Sequence, residues 1–310
     1  MIKILLLFLF LLSYILSRLD THILWIDLFG QLSFQILIGG TFLTIIYLIY
    51  KKFWVAILSG LICVLLAYQI LLPCKHCNAV LNENTQSAKN IRLMTFNTSY
   101  SYQNDDFSDM IDQISKEELD IIIFQETSPH FQEQLQILNE FFPYNVGLNT
   151  PVDFWGSIIL SKYPLTDTRE GKNNSVIVNI LLEGSEITVV AIHLYPPISQ
   201  GLLNSTLKQM AYLKEFINSV NHNIILIGDL NMTPVSRRFT NFLKETNLYT
   251  YTSFMHPTFT WPAFLPSVLG IQVDHVLFSE NFKMLGKKTI NHFGSDHRPL
   301  LVDLIFEAKK

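Results

Sequence analysis

Between residues 1 and 72 the chain carries six charged side chains, Lys3, Arg18, Asp20, Asp27, Lys51 and Lys52, and the other 42 all follow. The low charge of the whole chain is thus concentrated in this stretch. Three apolar blocks fill the stretch: Ile4 to Ser17, Leu32 to Tyr50 and Phe53 to Leu72. The second and third approach the ~20 residues needed to cross a hydrocarbon core of about 30 Å. The first is shorter and has the length of a signal-peptide core, but no small-x-small cleavage site follows in Ser17-Arg18-Leu19-Asp20. The blocks therefore predict an N-terminal transmembrane anchor of three helices, 4–17, 32–50 and 53–72.

Lys and Arg near helix ends favour the cytoplasmic side. Lys3 and the Lys51-Lys52 pair then lie inside and the loop from Arg18 to Gln31 outside. The expected location is a cell membrane, spanned several times, with everything after Leu72 extracytoplasmic. Over all 310 residues hydrophobic side chains make up 49%, an ordinary soluble share of about 45–50%. The apolar excess is thus local, and a disordered or heavily solvated chain is excluded.

Cys74 and Cys77 form a Cys-x-x-Cys just past the third block. A zinc site would need a second pair of ligands and no second Cys pair is present, so a local disulfide or two idle thiols is the expectation. Residues 73–90 are polar and aperiodic and read as a linker. Residues 91–310 remain as one globular unit.

Within that unit, apolar runs of strand length stop abruptly at polar groups. Ile91 to Phe96 meets Asn97, Asp120 to Phe124 meets Gln125-Glu126, and Ile187 to Ile192 meets His193. Asn223 to Gly228 meets Asp229-Leu230-Asn231, Ile271 to Val273 meets Asp274-His275, and Gly294-Ser295-Asp296-His297 precedes the final run, Pro299 to Phe306. Helical stretches separate several of these, at 106–118, 129–141 and 204–218. Alternating strands and helices predict a mixed α/β sandwich whose strand ends open on one rim. A lone strand-terminal Asp or Asn is usually a turn former. Six strand ends delivering carboxylates, amides and histidines exceed what capping requires.

Gln125-Glu126, Ile192-His193-Leu194, Gly228-Asp229-Leu230-Asn231, Val273-Asp274-His275 and Gly294-Ser295-Asp296-His297-Arg298-Pro299 together resemble the endonuclease/exonuclease/phosphatase superfamily, the DNase I-like fold, from about Ile91 to Ile305. The resemblance implies a four-layer α/β sandwich, two packed mixed sheets flanked by helices. It also implies Glu126 as metal ligand with Asn97 beside it as an amide oxygen, Asp296 completing the shell, and Asp274 orienting His297. Mg²⁺ suits such hard oxygen donors, with Mn²⁺ as a second candidate. In this reading His297 is the general base on water, Asp229 and Asn231 position water and the developing oxyanion, and His193 assists the phosphoryl or leaving oxygen. Family nucleases and sphingomyelinase-like members carry His at the His193 position, whereas abasic-site enzymes tend to carry Tyr.

Residues 91–310 hold 16 basic and 23 acidic side chains, a formal charge of −7, which disfavours long nucleic acid as partner. Arg237, beside Arg238, is the candidate phosphate contact. Trp261, in the aromatic and proline-rich stretch from Phe254 to Leu269, and Tyr195, before Pro196-Pro197, are candidate walls of an apolar lip for a lipid tail or the membrane interface. The expected activity is hydrolysis of a phosphate ester or anhydride on a lipid-linked or small phosphate. The three-block layout is similar to three-helix bacterial members associated with glycopeptide resistance, thought to act on polyprenyl pyrophosphates. A metal-dependent nuclease is the competing reading, and an inactive membrane adaptor that keeps the fold is a third.

Overall fold

The computed structural model describes residues 2–71, 89–99, 107–148, 157–171, 175–252, 258–266 and 269–307. The Cys74–Cys77 pair, all but the last two residues of the 73–90 linker, and residues 254–257 and 267–268 of the aromatic stretch lie outside them.

Four helices come first: α1 (Ile2–Ser17), α2 (Leu24–Gln31), α3 (Ser33–Ile49) and α4 (Phe53–Leu71). Among the described helices α4 alone is long and apolar enough to cross a membrane by itself; α2 and α3 pass that test only as a pair, bent by 70°. Helices form at all three expected blocks, but α1 and α3, with 16 and 17 residues, fall short of a full span by length, which leaves one such helix, or two spans if the bent pair is one. At 18–31, expected as a loop, α2 forms and directs Asp27 and Gln31 onto the rest of the protein.

The remaining elements are β1 (Lys89–Asn97), α5 (Ser108–Lys116), β2 (Ile121–Gln125), α6 (Pro129–Leu135), β3 (Tyr144–Val146), β4 (Ser157–Ser161), β5 (Thr166–Gly171), β6 (Ser175–Leu182), β7 (Ser185–His193), α7 (Gln200–Ser219), β8 (Asn223–Asp229), α8 (Arg237–Thr246), β9 (Asp274–Phe278), β10 (Phe282–Thr289) and β11 (Leu300–Phe306). They build two mixed sheets, ordered β10-β11-β1-β2-β4-β3 and β5-β6-β7-β8-β9. The expected four-layer sandwich is observed.

Side-chain alternation explains the layers. Leu93, Ile121, Ile123 and Ile159 of the first sheet meet Val189, Ala191, Ile225 and Ile227 of the second in the central core. Their neighbours point outward: Met94, Phe96, Ile122 and Phe124 under α5 and α6, and Val190, Ile192, Ile224 and Leu226 under α7 and α8. Strands covered on both faces must be apolar at every position, hence the continuous runs in the sequence. Truncating one such residue, for example Ile227 to Ala, costs about 2–5 kcal/mol.

Parallel pairing of β1 with β2 and of β7 with β8 makes these strands finish together: Asn97 lies opposite Gln125, and His193 opposite Asp229. Antiparallel β9 starts where β8 stops, placing Asp274 opposite Asp229.

Candidate active site

Two of the polar strand ends sit in the left-handed backbone region, which Asn tolerates and Glu seldom adopts. Glu126 has φ 52° and Asn231 φ 48°. Such strain persists where surrounding contacts over-determine it, as at functional sites. Gly228, just before Asp229, is obligatory for a different reason. At its φ of 147° an added Cβ would lie 1.9 Å from the Ile192 carbonyl oxygen of β7. That close approach of backbones lets the ends of β7 and β8 converge.

Asn97 joins the two sheets. Its Nδ2 donates to Glu126 Oε1 at 2.9 Å and to Asp229 Oδ2 at 3.1 Å. Its own oxygen accepts the Ser99 backbone N–H at 2.9 Å. The sequence predicts Asn97 as an oxygen ligand; here its oxygen is engaged and its nitrogen bridges two carboxylates. His193 Nε2 lies 3.3 Å from Glu126 Oε1 and 3.8 Å from Asp229 Oδ2. Ser295 Oγ donates to Asn97 O at 2.8 Å and accepts the His297 N–H at 3.0 Å, seating the Ser-Asp-His turn against β1.

His297 Nδ1 lies 3.0 Å from Asp274 Oδ2 and its Nε2 3.8 Å from Asp229 Oδ2. Burial alone would lower the His297 pKa, but the Asp274 charge and hydrogen bond, with Asp229 and Asp296 behind them, push it up to about 10. Asp229 is raised to about 8, by burial first and then by the Asp274 charge. In the cation-free protein His297 is therefore an imidazolium near neutrality, whereas the sequence predicts a neutral base. The dense negative charge around the ring is the cause.

The segment from Asp229 to Thr233 is fixed residue by residue. Leu194 N–H donates to Asp229 O, Leu230 N–H to Val273 O at 3.0 Å, and Asn231 Nδ2 to Leu194 O at 2.8 Å. His275 Nε2 meets Met232 O at 2.8 Å, and its Nδ1 accepts from Gln272. Burial holds the His275 pKa down to about 4, so the ring is neutral and supplies one donor and one acceptor. The sequence marks His275 as part of a motif but assigns it no task; its neighbour Asp274 carries the signal.

Four predicted positions lie outside the cluster. The Asp296 carboxylate accepts the Trp261 indole N–H at 3.0 Å and stays at the rim. Trp261 is 38% exposed there. Arg237 lies beside Tyr14, Arg18 and Asp20 of the N-terminal segment, its pKa lowered by burial and then by Arg18. It is not brought to the carboxylates, because α8 turns it toward the N-terminal helices. Tyr195 is half-buried two residues beyond His193, its backbone tied to Gln209 and Thr206.

The donor set suits a hard divalent cation. Two carboxylates share one amide, and Asp274 Oδ1 is buried with no hydrogen-bond partner among the described residues. Asp229, Asp274 and His297 each offer a ligand atom within 4.8 Å of the others.

Residues 94–297 match the family model described as endonuclease/exonuclease/phosphatase family. The chain belongs to this family. No curated protein sequence matches it at a significant level. Among solved structures, a beta toxin mutant from Staphylococcus aureus with bound magnesium ions is 17% identical, with TM-score 0.56 over 71% of this chain and 100% of that one. Sphingomyelinase C from Streptomyces griseocarneus, 17% identical, gives TM-score 0.51 over 69% and 99%. D. rerio TDP2 complexed with a single-strand DNA product, 12% identical, gives 0.55 over 70% and 99%. At these identities the similarity establishes the DNase I-like fold. The family is one of phosphoester hydrolases.

Proposed function

We propose that the chain is a Mg²⁺-dependent phosphohydrolase or phosphodiesterase, held at a membrane, that acts on a lipid-linked phosphate. The convergence of Glu126, Asp229, Asp274 and His297 at one rim carries the hydrolase reading. A divalent cation held by Glu126 and Asp229 would neutralise the phosphoryl oxygens and offset the carboxylate charge that keeps His297 protonated. Asp274 holds His297 Nδ1, so Nε2 is the atom that takes the proton of the attacking water. Asp229 and Asn231 orient that water and the oxyanion. His193, against Glu126, donates to the leaving oxygen.

The lipid-linked preference rests on charge and placement. An acidic domain repels long nucleic acid. Gln35 of α3 donates to Gly270 O beside the Trp261 segment, so the apolar helices and the rim adjoin. Ile198, Phe264 and Leu269 are 77%, 74% and 52% exposed. Apolar side chains of this kind favour a membrane interface.

Full-length protein in detergent with Mg²⁺ should release phosphate or headgroup from a long-chain prenyl pyrophosphate or a phospholipid. His297→Ala should lower turnover by about 10²–10⁴-fold. Nicking of plasmid DNA without turnover of any lipid phosphate would overturn the lipid-linked reading in favour of a nuclease.

A further inference from the structure

The N-terminal helices do more than precede the catalytic domain. Arg238 of α8 pairs with Asp27 of α2, and both side chains are almost fully buried. Gln31, one turn further along α2, donates to Asp27 Oδ2 at 3.3 Å. Gln31 Oε1 in turn accepts the Thr233 backbone N–H at 2.7 Å and the Thr233 hydroxyl at 3.0 Å. The same hydroxyl lies 3.0 Å from Gln31 O. Gln200 adds a further link, accepting Leu24 N–H and donating to His22 O.

Thr233 ends the segment that starts at Asp229. Every other residue of that segment is held from within the domain, by Leu194, Val273 or His275. Thr233 N–H is held by α2. Three residues on, Ser236 caps α8 and its hydroxyl donates to Thr233 O at 2.9 Å, so a displaced Thr233 moves the α8 cap on one side and Asn231 on the other. Asn231 has φ 48° and is held there by its N–H on Asp229 Oδ1 and its Nδ2 on Leu194 O, so a shift of the chain at Thr233 works directly on those two bonds. A buried backbone N–H that loses its amide acceptor is left unsatisfied, so the Gln31 contact constrains where Thr233 can sit.

We propose that α2 is part of the active site, with Gln31 as a positioning residue that sets the Asp229–Thr233 segment. The catalytic consequence rests on the hydrolase reading above. Gln31 touches no reacting atom; it acts through Thr233. The N-terminal segment is then required for full turnover even on a substrate that never meets a membrane.

The test uses full-length protein in detergent, with Mg²⁺ and the soluble diester bis(p-nitrophenyl) phosphate. Gln31→Met keeps the side-chain length and removes the acceptor. Gln31→Glu combined with Asp27→Asn keeps an acceptor oxygen for Thr233, replaces the lost donor between positions 27 and 31, and keeps one carboxylate near Arg238. Gln31→Met should speed amide exchange at Thr233 at least tenfold and lower kcat by about tenfold, with KM and thermal midpoint near wild type. The Gln31→Glu, Asp27→Asn double variant should restore both protection and kcat. Unchanged Thr233 exchange in Gln31→Met, or a kcat loss that tracks a fall in thermal midpoint and is not rescued by the double variant, would overturn the proposal. If the wild type cleaves no diester, the hydrolase reading fails on this substrate class, and the exchange measurement alone upholds or overturns the clamp.

Discussion

Asp274 Oδ2 and His297 Nδ1 sit 3.0 Å apart, both buried, one at the first residue of β9 and the other in the turn before β11. Each strand serves a different sheet, so this contact fixes the spacing of the two sheets at the rim as well as the tautomer of the ring.

Stability without cation should fall as pH rises. The folded pKa of His297, about 10, lies above its ordinary 6.5, so its contribution is complete below about pH 6.5 and lost on approaching 10. Asp229, raised from 3.8 to about 8, adds a loss in the same direction between those values. The steepest decline is expected between pH 6.5 and 8, where the two windows overlap. Calorimetry in chelator should show Tm falling by several degrees from about pH 6 to 9, with a flatter profile in Asp274→Asn. A midpoint that climbs over this range contradicts the assignment.

Metal affinity should separate the carboxylates. Glu126→Gln should weaken Mg²⁺ binding by roughly tenfold or more in titration calorimetry, whereas Asp296→Asn, whose carboxylate faces the Trp261 indole, should change it less than about threefold. Equal losses would return Asp296 to the coordination shell.

Gly228→Ala should destabilise the protein by roughly 3 kcal/mol or more, since its Cβ cannot coexist with the Ile192 carbonyl 1.9 Å away. Denaturant unfolding is the measure; a loss below about 1 kcal/mol would mean that the β7–β8 contact yields easily.

Removing one partner of the buried Arg238–Asp27 pair strands the other charge. Arg238→Met should therefore cost about 3–5 kcal/mol, and Arg238→Met with Asp27→Leu should recover most of it. Additive losses in the double variant would show that the two charges are uncoupled.

The strands are legible in the sequence because burial on both faces makes every position apolar, as in Ile121 to Phe124, and because each run stops at a polar residue. The short β3 and half-exposed β10 carry no such signature. Motif order points to Glu126, His193, Asp229, Asp274 and His297, and the structure gathers them. The orientation of Asn97 is not readable, since it depends on a Ser99 amide outside the motif. Arg237 and α2 escape sequence reasoning for one reason. The contacts that place them, Asp27 with Arg238 and Gln31 with Thr233, span 211 and 202 residues, and no local pattern encodes such a pairing.

The rim draws Asn97, Glu126 and His297 from segments bordering one sheet and His193, Asp229 and Asp274 from the other. Neither sheet alone therefore owns a working half-site. On the hydrolase reading, a nascent chain, a proteolytic fragment or a partly unfolded molecule with one sheet intact lacks half of the groups the reaction needs, and folding itself would be the safety catch.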